Sequence, residues 1–156
     1  MLQSLAENQR AHYDYEILET LEAGIELFGL EVKAIRAGRM SLRGSFATLR
    51  QAQGKRSGAE MFLTNANIAP YQPSNTPAGY DPTRPRRLLL KRSEVNSLIG
   101  KIRTQGLTAV PLKVYDKEGR IKVLVGIARG KKKYDKRASI RKRETEREIR
   151  RATKQG

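Results

Sequence analysis

Few residues in this chain carry reactive side chains. There is one histidine, His12, and no cysteine. His-based triads, thiol nucleophiles, disulfides and multi-histidine or thiolate metal sites are therefore excluded. Carboxylates are the remaining route to catalysis. Asp14, Glu16, Glu19 and Glu22 stand close together, and on a strand Asp14 and Glu16 would share a face. Such a pair can hold Mg²⁺ for phosphoryl transfer, and it equally describes two solvated acids. The reading adopted is a protein without catalytic residues, metal or cofactor.

Residues suited to binding anions are far more abundant. Lys and Arg number 32 against 16 acidic residues, a formal charge of +16. That excess calls for an anionic partner. The densest run is Gly130-Lys131-Lys132-Lys133-Tyr134-Asp135-Lys136-Arg137. Consecutive cations attract phosphates through counterion release, and the single aromatic among them can stack on a base. A second cluster, Arg84-Pro85-Arg86-Arg87-Leu88-Leu89-Leu90-Lys91-Arg92, brackets three leucines with cations. The pattern favours all three leucines in the core, although an exposed one beside arginines could press against a nucleotide. Glu22, an acid beside Ala23-Gly24, can accept from a base amino group or pair with a nearby cation. Lys122 reads as an outward-facing strand lysine.

These groups need a scaffold, and 156 residues suffice for one core plus appendages. Residues 129–156 hold 13 basic and 4 acidic residues against 19 and 12 in residues 1–128. The tail has only Tyr134, Ile140 and Ile149 as sizeable apolar side chains, too few to offset its ordering entropy. A body over 1–128 and a tail over 129–156, disordered alone and helical on a partner, are expected. The body reads as β-rich. Residues 107–128 form a hairpin pattern around Asp116-Lys117-Glu118-Gly119, with Ile121, Val123, Val125 and Ile127 on one face and Pro111 marking an edge or a bulge. Further strands are expected over 13–22 and on to Phe28, over 45–51 and over 60–68. Helices are expected over 31–37, ending at Gly38, and over 93–105 with Ser93 as N-cap and Gly106 as the stop. Loops are expected over 53–59 and 70–85. Several short strands with two or three helices suggest a small antiparallel β-barrel of the oligonucleotide-binding type. The N-terminus MLQSLAENQR has no signal-peptide pattern and no stretch approaches a membrane span, so a cytoplasmic protein is expected.

The chain also carries, in order, Asn8-Gln9-Arg10-Ala11, Asp14-Tyr15-Glu16-Ile17-Leu18-Glu19-Thr20, Glu22-Ala23-Gly24, Glu31-Val32-Lys33, Asp81-Pro82-Thr83-Arg84, Leu88-Leu89-Leu90, Gly106-Leu107-Thr108, Val110-Pro111-Leu112, Ala128-Arg129-Gly130-Lys131-Lys132 and Tyr134-Asp135-Lys136-Arg137. Together these resemble the SsrA-binding protein (small protein B) family of bacterial trans-translation, from about Asn8 to Arg151. The resemblance implies a non-enzymatic factor that grips the tRNA-like domain of transfer-messenger RNA and brings it to stalled ribosomes. Its tail would enter the decoding centre and the empty messenger channel, contacting small-subunit rRNA, and the elongation factor carrying the charged RNA would be an indirect companion. It assigns RNA contacts to Asn8, Glu22, Leu89 and Lys122, with Arg10 nearby, and ribosome contacts to Gly130, Lys131, Lys132, Lys133, Tyr134, Asp135, Lys136 and Arg137. Members often have histidine where Tyr13 and Tyr134 stand, so stacking could continue through the tyrosine rings. The alternative from composition alone is a general structural or ribosome-associated RNA-binding protein.

Overall fold

A computed structural model of the chain describes residues 3–51, 58–131, 137, 140–147 and 149. Its longest hairpin is the one expected over 107–128, and the turn explains its shape. Glu118 and Gly119 both have positive φ, +53° and +81°. Two consecutive left-handed residues form the tight turn whose twist matches antiparallel strands. Pairing therefore continues to Lys117 and Arg120, closer to the tip than the four-residue turn expected.

In chain order the elements are β1 (Ser4–Glu7), α1 (Ala11–Asp14), β2 (Tyr15–Ile25), α2 (Gly29–Arg36), β3 (Met40–Ser41), β4 (Phe46–Gln51), β5 (Ala59–Thr64), β6 (Asn67–Ile68), a 3₁₀ turn (Pro73–Asn75), β7 (Arg86–Leu89), α3 (Arg92–Gln105), β8 (Thr108–Lys117) and β9 (Arg120–Gly130). Seven strands form one sheet in the order β1-β8-β9-β2-β7-β5-β4, every pair antiparallel, and β3 pairs with β6 separately. β4 curls back to lie near β8. Among the described residues no ladder joins the end strands β1 and β4, so the sheet is open in its hydrogen bonding. Over the described residues up to 131 the fold is β-rich with three helices.

Alternation builds the core. Ala23, Val114, Val123, Val125 and Ile127 are buried on the inner face, under Ala34 and Ile35 of α2 and Leu98 of α3. Two bulges then reverse the alternation near one end of the sheet. The register passes from Pro111↔Val125 to Lys113↔Leu124, which makes Leu112 the extra residue of β8. It also slips between Ile17 and Glu19 in β2. An extra residue turns the following side chains to the other face. A second apolar cluster of Ala11, Val110, Leu112 and Ala128 results, with Ile17 and Leu124 packed against it. Pro111 thus marks a bulge, and it lies just past Lys113, the last β1-side partner in that register, where no ladder donor is required.

Some local expectations need correction. Residues 13–14 belong to α1, because the Tyr13 and Asp14 amides donate to Arg10 O and so divert the chain before β2 begins. Ser93 does not cap α3. The N-cap is Lys91, whose amide donates to Glu94 Oε1 at 2.9 Å, so Ser93 falls in the first turn. Gly106 does stop the helix, at φ +66°. Of the tail, residues 137, 140–147 and 149 have helical backbone and are exposed. No helix among the described residues is long and apolar enough to cross a membrane.

Candidate nucleic-acid interface

Strand register assembles the outer face. Gly24 is directly opposite Leu89 on β7 and Lys122 on β9, and Lys122 is opposite Tyr115 on β8. Residues directly opposite share a face, so the four positions form one row across four strands. Leu88 is in the core, which turns Leu89 outward at 45% exposure. Of the leucine triplet, then, only Leu88 is fully buried, and Leu90 is half-buried. Gly24 keeps the middle of the row bare. A Cβ there would lie 3.1 Å from Leu89 Cβ, and any larger side chain would fill the space between leucine and lysine.

Glu22 stands two residues along β2 and is fixed from β8. Tyr115 Oη donates to its Oε2 at 2.5 Å and Lys117 Nζ approaches both oxygens at 3.4 Å. The Tyr115 hydroxyl holds this carboxyl below its ordinary value against the opposing effect of burial, with help from Lys117 and Lys122. Burial, and then Glu22 itself, push the Tyr115 phenol up. The result is an acceptor that stays ionised at neutral pH, with a preset direction, beside a cation and an exposed leucine. That set can accept from a base amino or ribose hydroxyl group, neutralise a phosphate and pack on an apolar edge. Tyr115→Phe is expected to move the Glu22 titration midpoint upward in carboxyl-detected NMR. An unchanged midpoint would mean that the lysines alone hold it down.

Of the other RNA-contact candidates, Asn8 lies further along this face. Asn8, His12, Ile17, Thr20 and Leu124 line a groove, and Leu124 pairs with Glu22 across β9 and β2. Asn8 has a structural task here: its Nδ2 donates to Pro111 O at 2.9 Å and its amide to Leu112 O at 2.8 Å, clamping the bulge. The Arg10 guanidinium sits 5.0 Å from the centre of the Tyr13 ring and 3.6 Å from Asp14. Gly130 closes β9 opposite Tyr15, and Lys131 then ties the tail root to α1. Its amide donates to Asp14 O at 2.9 Å and its Nζ to His12 O at 2.5 Å. Arg137 is exposed. The expected contacts at Lys132, Lys133, Tyr134, Asp135 and Lys136 lie outside the described residues. The acids considered for metal binding face different cations: Asp14 meets Arg10, Glu16 meets Arg129, Glu19 meets Lys101 and Glu22 meets Lys117.

A family model described as SmpB protein matches residues 5–155. The chain belongs to the SmpB family. It is 53% identical over 150 residues to an SsrA-binding protein of Chloroflexus aggregans, covering 96% of this chain and 90% of that one. An SsrA-binding protein of Thermosynechococcus vestitus is 48% identical over 151 residues, covering 97% and 95%. A solved structure described as "tmRNA-SmpB: a journey to the center of the bacterial ribosome" matches with a TM-score of 0.61 and 52% identity, over 81% of this chain and 84% of that one. SmpB proteins are RNA-binding proteins and not enzymes.

One buried cluster of this SmpB chain escapes sequence reasoning. Glu31 of α2 is 1% exposed and Arg86 of β7 is 0% exposed. Arg86 donates to Glu31 Oε2 through Nε at 2.8 Å and Nη2 at 2.6 Å, and to Ala66 O at 2.9 Å. Arg84 also binds Glu31, and Tyr80 Oη donates to it at 3.1 Å. Burial pushes the Glu31 carboxyl up, but Arg84, the Phe28 amide and Arg86 together hold it below its ordinary value. This is how the proline-rich 70–85 segment is fastened to α2. One signal was available in the sequence: Arg86 and Leu88 are two apart and must share a strand face, so a buried Leu88 implies a buried Arg86.

Proposed function

We propose that this chain grips the tRNA-like domain of transfer-messenger RNA with the outer face of β7, β2, β9 and β8 and carries it to stalled ribosomes. The observation that carries this reading is the row Leu89, Gly24, Lys122 with Glu22 held as an anion beside it, in a chain of charge +16. A basic surface alone would bind any RNA; a fixed acceptor and an exposed leucine between strands add shape and base selectivity. The curled sheet is then an oligonucleotide-binding barrel with an open seam between β1 and β4. The tail, leaving from its anchor on α1, is the part that enters the decoding centre and empty messenger channel in the bacterial cytoplasm. The elongation factor carrying the charged RNA accompanies the complex. Body and tail have separable tasks. Removing residues 132–156 keeps the Lys131 anchor and is expected to leave affinity for isolated transfer-messenger RNA within a few-fold at moderate salt, while abolishing peptide tagging on stalled ribosomes. Gel-shift titration and a reconstituted tagging assay measure the two. If the truncated chain loses RNA binding and tagging together, the division is wrong, and binding no tighter than to random RNA would remove the whole reading.

A further inference from the structure

Three of the chain's nine aromatic residues, Phe28, Tyr71 and Tyr80, converge on a pocket that shares no lining residue with the groove around Glu22, Leu89 and Lys122. Leu30, Pro77 and the bare backbone of Gly79 are part of its wall. Phe28 is 56% and Tyr71 38% exposed, a costly display of apolar surface for a protein to keep without a partner. The pocket is shaped from below: Tyr80 Oη is committed to Glu31 and to Ile68 O at 3.0 Å, so its ring stands fixed as part of the wall.

Charge at the rim decides between occupants. Residues 69–80 contain no ionisable acid or base other than the two tyrosines. The one buried acid beneath, Glu31, is answered by both Arg84 and Arg86. The Arg84 guanidinium lies 3.9 Å from the centre of the Phe28 ring. Arg39 is exposed, and the one hydrogen bond its side chain makes among the described residues is a long one, 3.4 Å, to Pro70 O. Exposed rings flanked by a surplus of guanidinium suit a flat group attached to an anion. We propose that this pocket is a second RNA site, which seats one unpaired base against Tyr71 and Phe28 with its phosphate on Arg39. Stacking selects for single strands, since a base inside a duplex cannot present its face.

The test uses the full chain and a single-stranded RNA of about ten nucleotides carrying 4-thiouridine. Irradiation followed by peptide mapping is expected to place crosslinks on Tyr71 or Phe28, at a salt concentration that suppresses the tail's nonspecific attraction. Tyr71→Ala should abolish that crosslink and weaken binding of the oligonucleotide by about five-fold or more. Arg39→Gln should lower the slope of affinity against salt by about one counterion. Leu89→Ala should leave the Tyr71 crosslink unchanged, which separates this site from the outer face. Crosslinks confined to other segments, or equal affinity in Tyr71→Ala, would overturn the proposal. So would displacement of the RNA from Tyr71 by a proline-rich peptide but not by competing RNA.

Discussion

Glu31→Gln is expected to destabilise the fold by about 3–5 kcal/mol, because it removes the charge that compensates a fully buried guanidinium. Arg86 has no solvent to turn to: it is 0% exposed, and its remaining acceptors are the neutral carbonyls of Ala66 and Pro82 and the Tyr80 hydroxyl. The same carboxylate accepts the Phe28 amide at 2.9 Å at the start of α2 and anchors Arg84. One substitution, which leaves a single neutral acceptor oxygen, therefore weakens the hold on the helix start, β7 and the 70–85 segment together. Urea unfolding measures the loss. A change below about 1 kcal/mol would show that Arg86 finds solvation by local rearrangement. The charge pair as such is not the source of stability, so Glu31→Leu combined with Arg86→Met should recover much of the deficit. The pH dependence has a definite sign. The folded-state pKa of Glu31 lies below its ordinary value, so this contribution is complete above the ordinary carboxylate range and is lost as pH falls through the folded-state value. Glu22 is depressed as well and acts in the same direction. The protein should lose stability in acid, and the Glu31→Gln variant should show a shallower acid dependence.

Lys122→Glu should reduce affinity for transfer-messenger RNA by at least about a hundred-fold while leaving the fold intact. Lys122 is half-buried on the outer face and opposes Gly24, whose missing side chain leaves the ammonium group open to a ligand. Reversal sets a like charge against a phosphate, a juxtaposition that costs several kcal/mol. It also places an acid beside Glu22, which Lys122 now helps to keep ionised. Gel-shift titration reads the affinity and circular dichroism the fold. Lys122→Ala is the milder control, expected to lower the salt slope by about one. An unchanged affinity in Lys122→Glu would remove this row from the RNA interface and leave binding to other basic surfaces.

The chain's single sequence determined what is local or summed. Net charge named an anionic partner. The Glu118-Gly119 turn and the alternation Ile121, Val123, Val125, Ile127 fixed the β8–β9 hairpin, because a tight turn and a period of two depend on neighbours alone. The period of Val95 and Leu98, with Gly106, marked α3 for the same reason. Family resemblance singled out Glu22, Leu89 and Lys122, but not how they meet. Only the tertiary structure decided that Leu88 points in and Leu89 out, since a short β7 gains its face from β2 and β5. It likewise decided that Glu22 is held by a tyrosine 93 residues away and that Glu31 and Arg86, 55 residues apart, share one buried site. A carboxylate's partner across such separations is set by strand register and helix packing, which no window of sequence contains. The basic character of this protein was therefore visible from composition, while the grouping of Glu22, Leu89 and Lys122 on one face belongs to contacts made only when the sheet assembles.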